Sequence, residues 1–168
     1  MATITFHVNG PGDLTGIASQ NPSSGLHWEK MGVSGEYVWT GSATYQSDLY
    51  QIGASIAGGK INSVTVTSQA YSADGTAVTL LKLVGDTIRE GVETHVSGLT
   101  PQNVSTVYAL SPATSSLWTW SEIYSAQVGG KIKAFGGGGY TIRMYDAYVT
   151  VDYTVETVKS GADCFMGA

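Results

Sequence analysis

The chain has 168 residues, a formal net charge of −5, 12% charged residues and 22 glycines. Average soluble domains have about 25% charged residues and about 7% glycine. A helix bundle is therefore excluded, because its solvent faces need Glu, Lys and Arg, and an all-β domain is favoured. With only 8 Lys and Arg against 13 Asp and Glu, we expect no nucleic acid partner and no membrane partner.

Alternation of apolar and polar residues predicts a series of short strands. Residues 64–71 and 148–155 alternate most regularly, as half-buried strands require. Shorter strands are predicted at 76–84, 87–96, 104–110, 131–135 and 140–144. The first 60 residues contain turn clusters at 9–13 and 21–25 and are interpreted as loop-rich. This spacing predicts one all-β domain over residues 1–155, an antiparallel two-sheet sandwich that is jelly-roll-like.

One short capping helix is predicted near residues 120–127. Thr119 can cap its first turn while Glu122 reaches back to the cap amide, and Trp118 can pack on Ile123 outside this box. Gly129 and Gly130 are expected to end the helical turn. The helix should close one end of the sandwich.

Residues 156–168 lack periodicity and are predicted to form a C-terminal tail outside the sandwich. The tail contains Val158, Phe165 and Met166, which gain nothing from exposure to solvent and are candidate partner contacts. The alternative is a frayed terminus that contacts nothing.

The sequence predicts no catalytic, metal or cofactor site. His7, His27 and His95 lack the spacing of zinc motifs, and the carboxylates form no calcium-loop pattern. Cys164 is the single cysteine and lies in the tail, where no base can be held beside it. The glycines at 136–139 are interpreted as a hairpin loop, since no Lys or Ser of a phosphate-binding motif follows them.

Four Trp and 10 Tyr leave a carbohydrate-binding function open. Exposed rings on a β-sandwich can stack on the apolar face of a sugar. The alternative is that Trp28, Trp39, Trp118 and Trp120 belong to the core or to the helix cap. For Trp118 and Trp120 the packing role is favoured, because they flank the predicted helix start.

Five segments between residues 45 and 154 occur in an order typical of a known family. They are YQSDLYQI, KINSVTVTSQAYS, TAVTLLKLV, SPATSSLWTWSEIYSAQVGGKIKA and AYVTVDYT. The stretch resembles a β-sandwich structural domain of tailed-bacteriophage virion proteins. The resemblance implies a virion component without catalytic activity, and it provides no active-site residue to transfer.

The predicted function is therefore that of a non-enzymatic phage structural protein, foremost a capsid decoration or cement protein that binds the major capsid protein and reinforces the shell. Such a protein is expected to form a homo-oligomer, by analogy a trimer. The predicted location is the virion, after assembly in the host cytoplasm, because the first residues show no targeting signal. The alternatives are a tail or baseplate module and a carbohydrate-binding adhesion module with a glycan partner.

Overall fold

The computed structural model describes residues 1–53, 58–98, 100–135 and 139–155. These residues form an antiparallel β-sandwich, which confirms the predicted fold class. In chain order the strands are β1 (Ala2–Thr15), β2 (Ser19–Asn21), β3 (Tyr37–Thr40), β4 (Gln46–Ile52), β5 (Lys60–Ser72), β6 (Gly75–Lys82), β7 (Arg89–Glu90), β8 (Thr94–Val96), β9 (Gln102–Tyr108), β10 (Gln127–Ala134) and β11 (Ile142–Thr154). A 3₁₀ helix covers His27–Lys30, and one α-helix, α1, covers Trp120–Tyr124.

The two sheets share strand β1. Sheet A contains β2, β3, β11, β5 and β9, and residues 2–7 of β1 pair with β11. Sheet B contains β4, β10, β6, β7 and β8, and residues 8–15 of β1 pair with β4. A single strand therefore passes from one layer of the sandwich to the other.

The crossing of β1 corrects the interpretation of residues 9–13 as a turn. The register of β1 against β4 shifts between Val8 and Gly10 and again between Pro11 and Thr15. A Cβ on Gly12 would clash with the carbonyl oxygen of Leu49, so only glycine allows the two strands to approach this closely. The turn-forming residues bend the strand at these irregularities without ending it.

Two other predicted strand boundaries also differ. The segments 140–144 and 148–155 belong to one strand, β11, whose register against β5 shifts between Met144 and Asp146. A bulge keeps the strand continuous across this interruption of the alternation. The single strand predicted at 87–96 is instead two short ones, β7 and β8, which both pair with β6.

Apolar side chains from the facing sides of both sheets form two core clusters. One includes Phe6, Ile61, Val64, Val66, Leu81, Trp118, Ile123, Val128, Val149 and Val151. The other includes Ile17, Met31, Val38, Tyr50, Ala70, Ala77, Val96, Ile132, Ile142 and Met144. Helix α1 contributes Ile123 to the first cluster, and Trp28 of the 3₁₀ helix packs against the second. Each helical turn thus covers a different part of the core.

Helix α1 is shorter than the predicted 120–127, and the expected role of Gly129 and Gly130 is wrong. Both glycines lie inside β10, in the middle of sheet B. A Cβ on Gly129 would clash with the carbonyl oxygen of Asp48, and one on Gly130 would crowd the sulfur of Met144. Close packing around β10 therefore explains the glycine pair. No helix among the described residues has the length and apolarity to cross a membrane.

Candidate functional site

The outer side of sheet A presents aromatic rings at strand β3. Val38 is fully buried in the second core cluster, while its neighbours Tyr37 and Trp39 are partly exposed. Because side chains alternate along a strand, both rings point away from the core. We call the surface around them the aromatic face, and it consists of Tyr37, Trp39, Tyr71, Arg143 and Tyr145.

The register of sheet A brings the aromatic face together from three strands. Trp39 of β3 is directly opposite Arg143 of β11, and Arg143 is directly opposite Tyr71 of β5. Directly opposed residues place their Cβ atoms about 5 Å apart. The Tyr37 and Tyr145 rings lie 5.2 Å apart between centroids. Strand pairing therefore assembles a continuous surface from segments far apart in the sequence.

Arg143 lies among these rings. Its guanidinium carbon is 4.7 Å from the centroid of Tyr37 and 5.4 Å from that of Tyr71, distances typical of cation–π contacts. Its Nη1 donates a long hydrogen bond of 3.5 Å to the hydroxyl of Tyr145. That hydrogen bond raises the pKa of Arg143 further above its ordinary value, so the side chain stays cationic.

Trp39 lines two cavities. The first, of about 400 Å³, is lined by Gln20, Asn21, Ser23, Tyr37, Trp39, Thr141 and Arg143. The second, of about 430 Å³, is lined by Ala18, Ser19, Gln20, Ser23, His27 and Trp39. Both volumes fall in the range of small-ligand pockets, about 300 to 1,000 Å³. Trp39 and the polar side chains beside it therefore border both cavities.

Gln20 contributes a polar group that the fold leaves partly unused. Its Nε2 donates hydrogen bonds to the carbonyl oxygens of Ser23 at 3.3 Å and Gly25 at 2.7 Å, which fixes the orientation of the amide. Its Oε1 is buried and has no hydrogen-bond partner among the described residues. An unsatisfied buried acceptor costs about 1–3 kcal/mol, so this amide is held in place at a cost to stability.

A buried carboxylate supports the wall of the second cavity. Asp48 is fully buried and accepts hydrogen bonds from the backbone amides of Gly16 and Ile17, at 2.7 and 2.9 Å. Its other oxygen lies 2.6 Å from Nδ1 of His27 and accepts a 2.8 Å bond from the Tyr50 hydroxyl. Burial, followed by the charge of Asp48, raises the pKa of Tyr50 well above its ordinary value, so the phenol keeps its proton. The cluster fixes the ring of His27, leaving Nε2 as the nitrogen available to a ligand.

The outer side of sheet B has a different chemistry. Leu49, Val78 and Leu80 are buried there, on the opposite side of their strands from core residues such as Tyr50 and Leu81. Ion pairs surround this aliphatic strip: Lys82 with Asp13, Lys131 with Glu90, and Lys133 with Glu93. Both lysines of β10 also lie over the ring of Tyr45, at 4.5 and 4.3 Å from its centroid. The charged groups on the outer side of sheet B therefore bind one another.

The helix-cap residues form a structural unit. The Glu122 amide donates to the Thr119 hydroxyl at 3.3 Å, and the Glu122 carboxylate accepts from the Thr119 amide at 2.7 Å, as in a capping box. Trp118 and Ile123 both lie in the first core cluster, and the Trp118 indole donates to the carbonyl of Tyr108 at 3.1 Å. Trp118 is therefore a packing residue, and Trp120 also packs against this cluster.

The predicted partner contacts Val158, Phe165 and Met166 lie outside the described residues, as does Cys164. Within the described ranges, no group of three or more His, Cys, Asp or Glu side chains is arranged to hold a metal ion. The sequence marks Trp39 as a candidate for sugar stacking but gives no signal for Arg143 or Tyr71. The alternation of Tyr37, Val38 and Trp39 is the signal from which two rings on one side of a strand could be predicted.

No protein-family model and no curated protein matches this chain. Among solved structures, it is similar to the xylan-binding module CBM15, with 14% identity and a TM-score of 0.48 over 92% of this chain and all of that one. It is also similar to the N-terminal cellulose-binding domain of Cellulomonas fimi β-1,4-glucanase C, with 14% identity and a TM-score of 0.42 over 92% and 90%. A third similar structure is a Stig cyclase from Fischerella sp. TAU, with 13% identity and a TM-score of 0.48 over 91% and 86%. Likeness at this level shows the fold alone.

These comparisons correct the predicted function. The predicted capsid decoration function is wrong: the similar structures, among them a xylan-binding and a cellulose-binding module, agree better with the carbohydrate-binding alternative. The phage resemblance, the tail or baseplate alternative, the trimer and the virion location stay untested predictions.

Proposed function

We propose that this chain is a non-catalytic glycan-binding module and that the aromatic face of sheet A is its binding surface. The observation that carries the proposal is that Trp39 lines two cavities, with Tyr37 on the same side of the same strand. Sheet pairing holds both rings at defined positions, so little conformational entropy is lost when a ligand binds.

Carbohydrate chemistry matches what surrounds Trp39. A sugar ring has an apolar face of C–H groups, which packs on indole and phenol rings, and an edge of hydroxyls, which need hydrogen-bond partners. The first cavity offers the amides of Gln20 and Asn21 next to the rings, and the second offers the imidazole of His27. An aromatic surface edged with amides satisfies both requirements of a sugar.

The described residues of the cavity walls include no carboxylate, which supports binding without hydrolysis. Glycosidases typically place two carboxyl groups about 5 to 9.5 Å apart on either side of the bond that they cleave. The described residues that line the two cavities include no Asp and no Glu. Asp48 is fully buried behind His27 and lines neither cavity. The site is therefore proposed to hold a glycan without cleaving it.

The test is a glycan array followed by calorimetric titration of the best ligand with two variants. Trp39→Ala removes the central ring and should weaken binding at least tenfold, while its thermal midpoint stays close to that of the unsubstituted protein. Phe135→Ala is the matched control, because this ring is also exposed, at 38%, but lies near His95 of β8. It should bind normally. Binding to no glycan, or equal affinity of the Trp39→Ala variant, would overturn the proposal.

A further inference from the structure

Among the described residues, Arg143 differs from most other cations in having no carboxylate partner. Of the 8 Lys and Arg, all but Lys159 lie in the described ranges. Five of these form ion pairs with Asp or Glu: Lys30, Lys82, Arg89, Lys131 and Lys133. Lys60 is exposed at the start of β5, whereas Arg143 lies inside sheet A and lines the first cavity. Arg143 is thus a cation that no carboxylate of the described ranges pairs with, and it lies within the proposed binding site.

The hydrogen-bonding capacity of Arg143 is also largely unused. A guanidinium has five N–H donors in a planar fork, and among the described residues only Tyr145 accepts from it, at 3.5 Å. The rings of Tyr37 and Tyr71 orient the guanidinium without neutralising its charge. The geometry therefore holds a planar fork of donors in position beside an open cavity.

We infer that the ligand is an acidic glycan, a chain containing uronic acid residues whose carboxylate binds Arg143. This inference rests on the proposed function and specifies its ligand. A carboxylate matches the guanidinium fork with two parallel hydrogen bonds. Trp39 is directly opposite Arg143 on the neighbouring strand, so one uronic acid residue can contact the indole and the guanidinium together.

A neutral glycan would fit this site less well. It would cover Arg143 without supplying a counter-charge, and an uncompensated charge withdrawn from water is costly. The chain as a whole carries a net charge of −5, so long-range attraction does not draw polyanions to it. Recognition has to come from the local fork and the adjacent rings, which favours an anion carried on a sugar over a bare anionic polymer.

The test compares matched acidic and neutral polysaccharides. Polygalacturonate and alginate are titrated beside their carboxyl-reduced forms, which keep the same linkages and lose the charge. We expect the acidic forms to bind at least tenfold more tightly. If the neutral forms bind as well as the acidic ones, this inference is overturned while the proposed function stands. If the protein binds no glycan of either kind, the proposed function fails together with it.

Two variants assign the effect to Arg143. Arg143→Gln should lose at least tenfold in affinity for polygalacturonate and little for the carboxyl-reduced polymer. Arg143→Lys keeps the charge but lacks the planar fork, and should recover only part of the affinity. Thermal midpoints show that each variant is folded, and the lysine variant suffices if the glutamine variant does not fold. Equal binding by both variants and the unsubstituted protein would refute the role of Arg143.

Poly-L-glutamate provides the last comparison, because it presents carboxylates without sugar rings. It should neither bind tightly nor displace polygalacturonate. If it binds as tightly and competes for the site, the aromatic face recognises acidic polypeptides and the glycan inference is overturned.

Discussion

The outer faces of the two sheets use similar residue types in opposite ways. On sheet B, the lysines of β10 lie over Tyr45 and also pair with Glu90 and Glu93. On sheet A, Arg143 lies over Tyr37 and Tyr71, but no carboxylate of the described residues neutralises it. A cation–π contact is therefore a shared feature of both faces. The difference is whether the fold also supplies the counter-charge.

This difference indicates where the molecule is available to a ligand. A face whose donors and acceptors are already paired gains little from an additional partner, because each new contact replaces an existing one. A face with an open fork of donors and partly exposed rings can form new contacts at small cost. Substitutions on sheet B or in the core should therefore change stability, and substitutions on the aromatic face should change binding.

The largest expected effect distinguishes two tryptophans. Trp118→Ala should lower the free energy of unfolding by about 3–5 kcal/mol, because its ring is only 5% exposed and lies in the core. Trp39→Ala should lower it far less, because that ring lies on the aromatic face. Urea denaturation of both variants measures the contrast. Similar losses of stability would show that Trp39 is a core residue, which would remove the basis for the binding surface.

A smaller loss is expected from Gly129→Ala in sheet B. The added methyl group would meet the backbone of Asp48, so β4 or β10 has to move, and such overpacking costs about 1–3 kcal/mol. Thr65→Ala on the outer side of sheet A is the control and should change stability by no more than about 0.5 kcal/mol. Denaturant titrations of the two variants provide the comparison. A Gly129→Ala variant as stable as the parent protein would contradict the close packing of β10.

The third prediction concerns the ion pairs of sheet B. Lys131→Met removes the pair with Glu90, and because Glu90 is 52% exposed the loss should stay below about 1 kcal/mol and shrink at high salt. Glycan affinity should not change, in contrast to Arg143→Gln. Calorimetric titration and thermal unfolding at low and high salt measure both quantities. Weaker glycan binding by the Lys131→Met variant would show that the ligand contacts sheet B, which contradicts a binding site on sheet A.

The smallest effect is a pH dependence at the edge of the aromatic face. Burial raises the pKa of Asp146 above its ordinary 3.8, and the charge of His7 opposes the shift only in part. The folded protein then keeps this proton to higher pH than the unfolded chain, so stability falls as pH rises from 3.8 through the raised pKa. Asp146→Asn should remove this fall and be the more stable protein at pH 7, as unfolding titrations across pH can show.

Glu122 provides the comparison of opposite sign. Burial alone would raise its pKa, but the hydrogen bonds from Ser111 and Thr119 outweigh this and lower it. Its contribution to stability is present above the ordinary Glu pKa and is lost as pH falls through the lowered value. Glu122→Gln should therefore be less stable than the parent at neutral pH. The same sign for both variants would contradict these assignments.

The sequence by itself determined the features that depend on neighbouring residues. Alternation along 64–71 and 148–155 identified half-buried strands, because the two-residue period of a strand is a local property. The capping box of Thr119 and Glu122 was readable because its hydrogen bonds close within four residues. The same alternation predicts a sandwich, since a strand with one apolar side has to bury that side against another layer.

Only the tertiary structure decided which residues share a face. Glycine has turn-forming propensity in any context, so the pair Gly129 and Gly130 suggests a helix end. In the structure both lie inside a strand, where a Cβ would clash with Asp48 or crowd Met144. Trp39, Arg143 and Tyr71 lie on three strands whose register follows from long-range pairing. A shift of one residue would turn each of these side chains into the core. The site exists because β3, β11 and β5 pair in this register, which no local pattern in the sequence specifies.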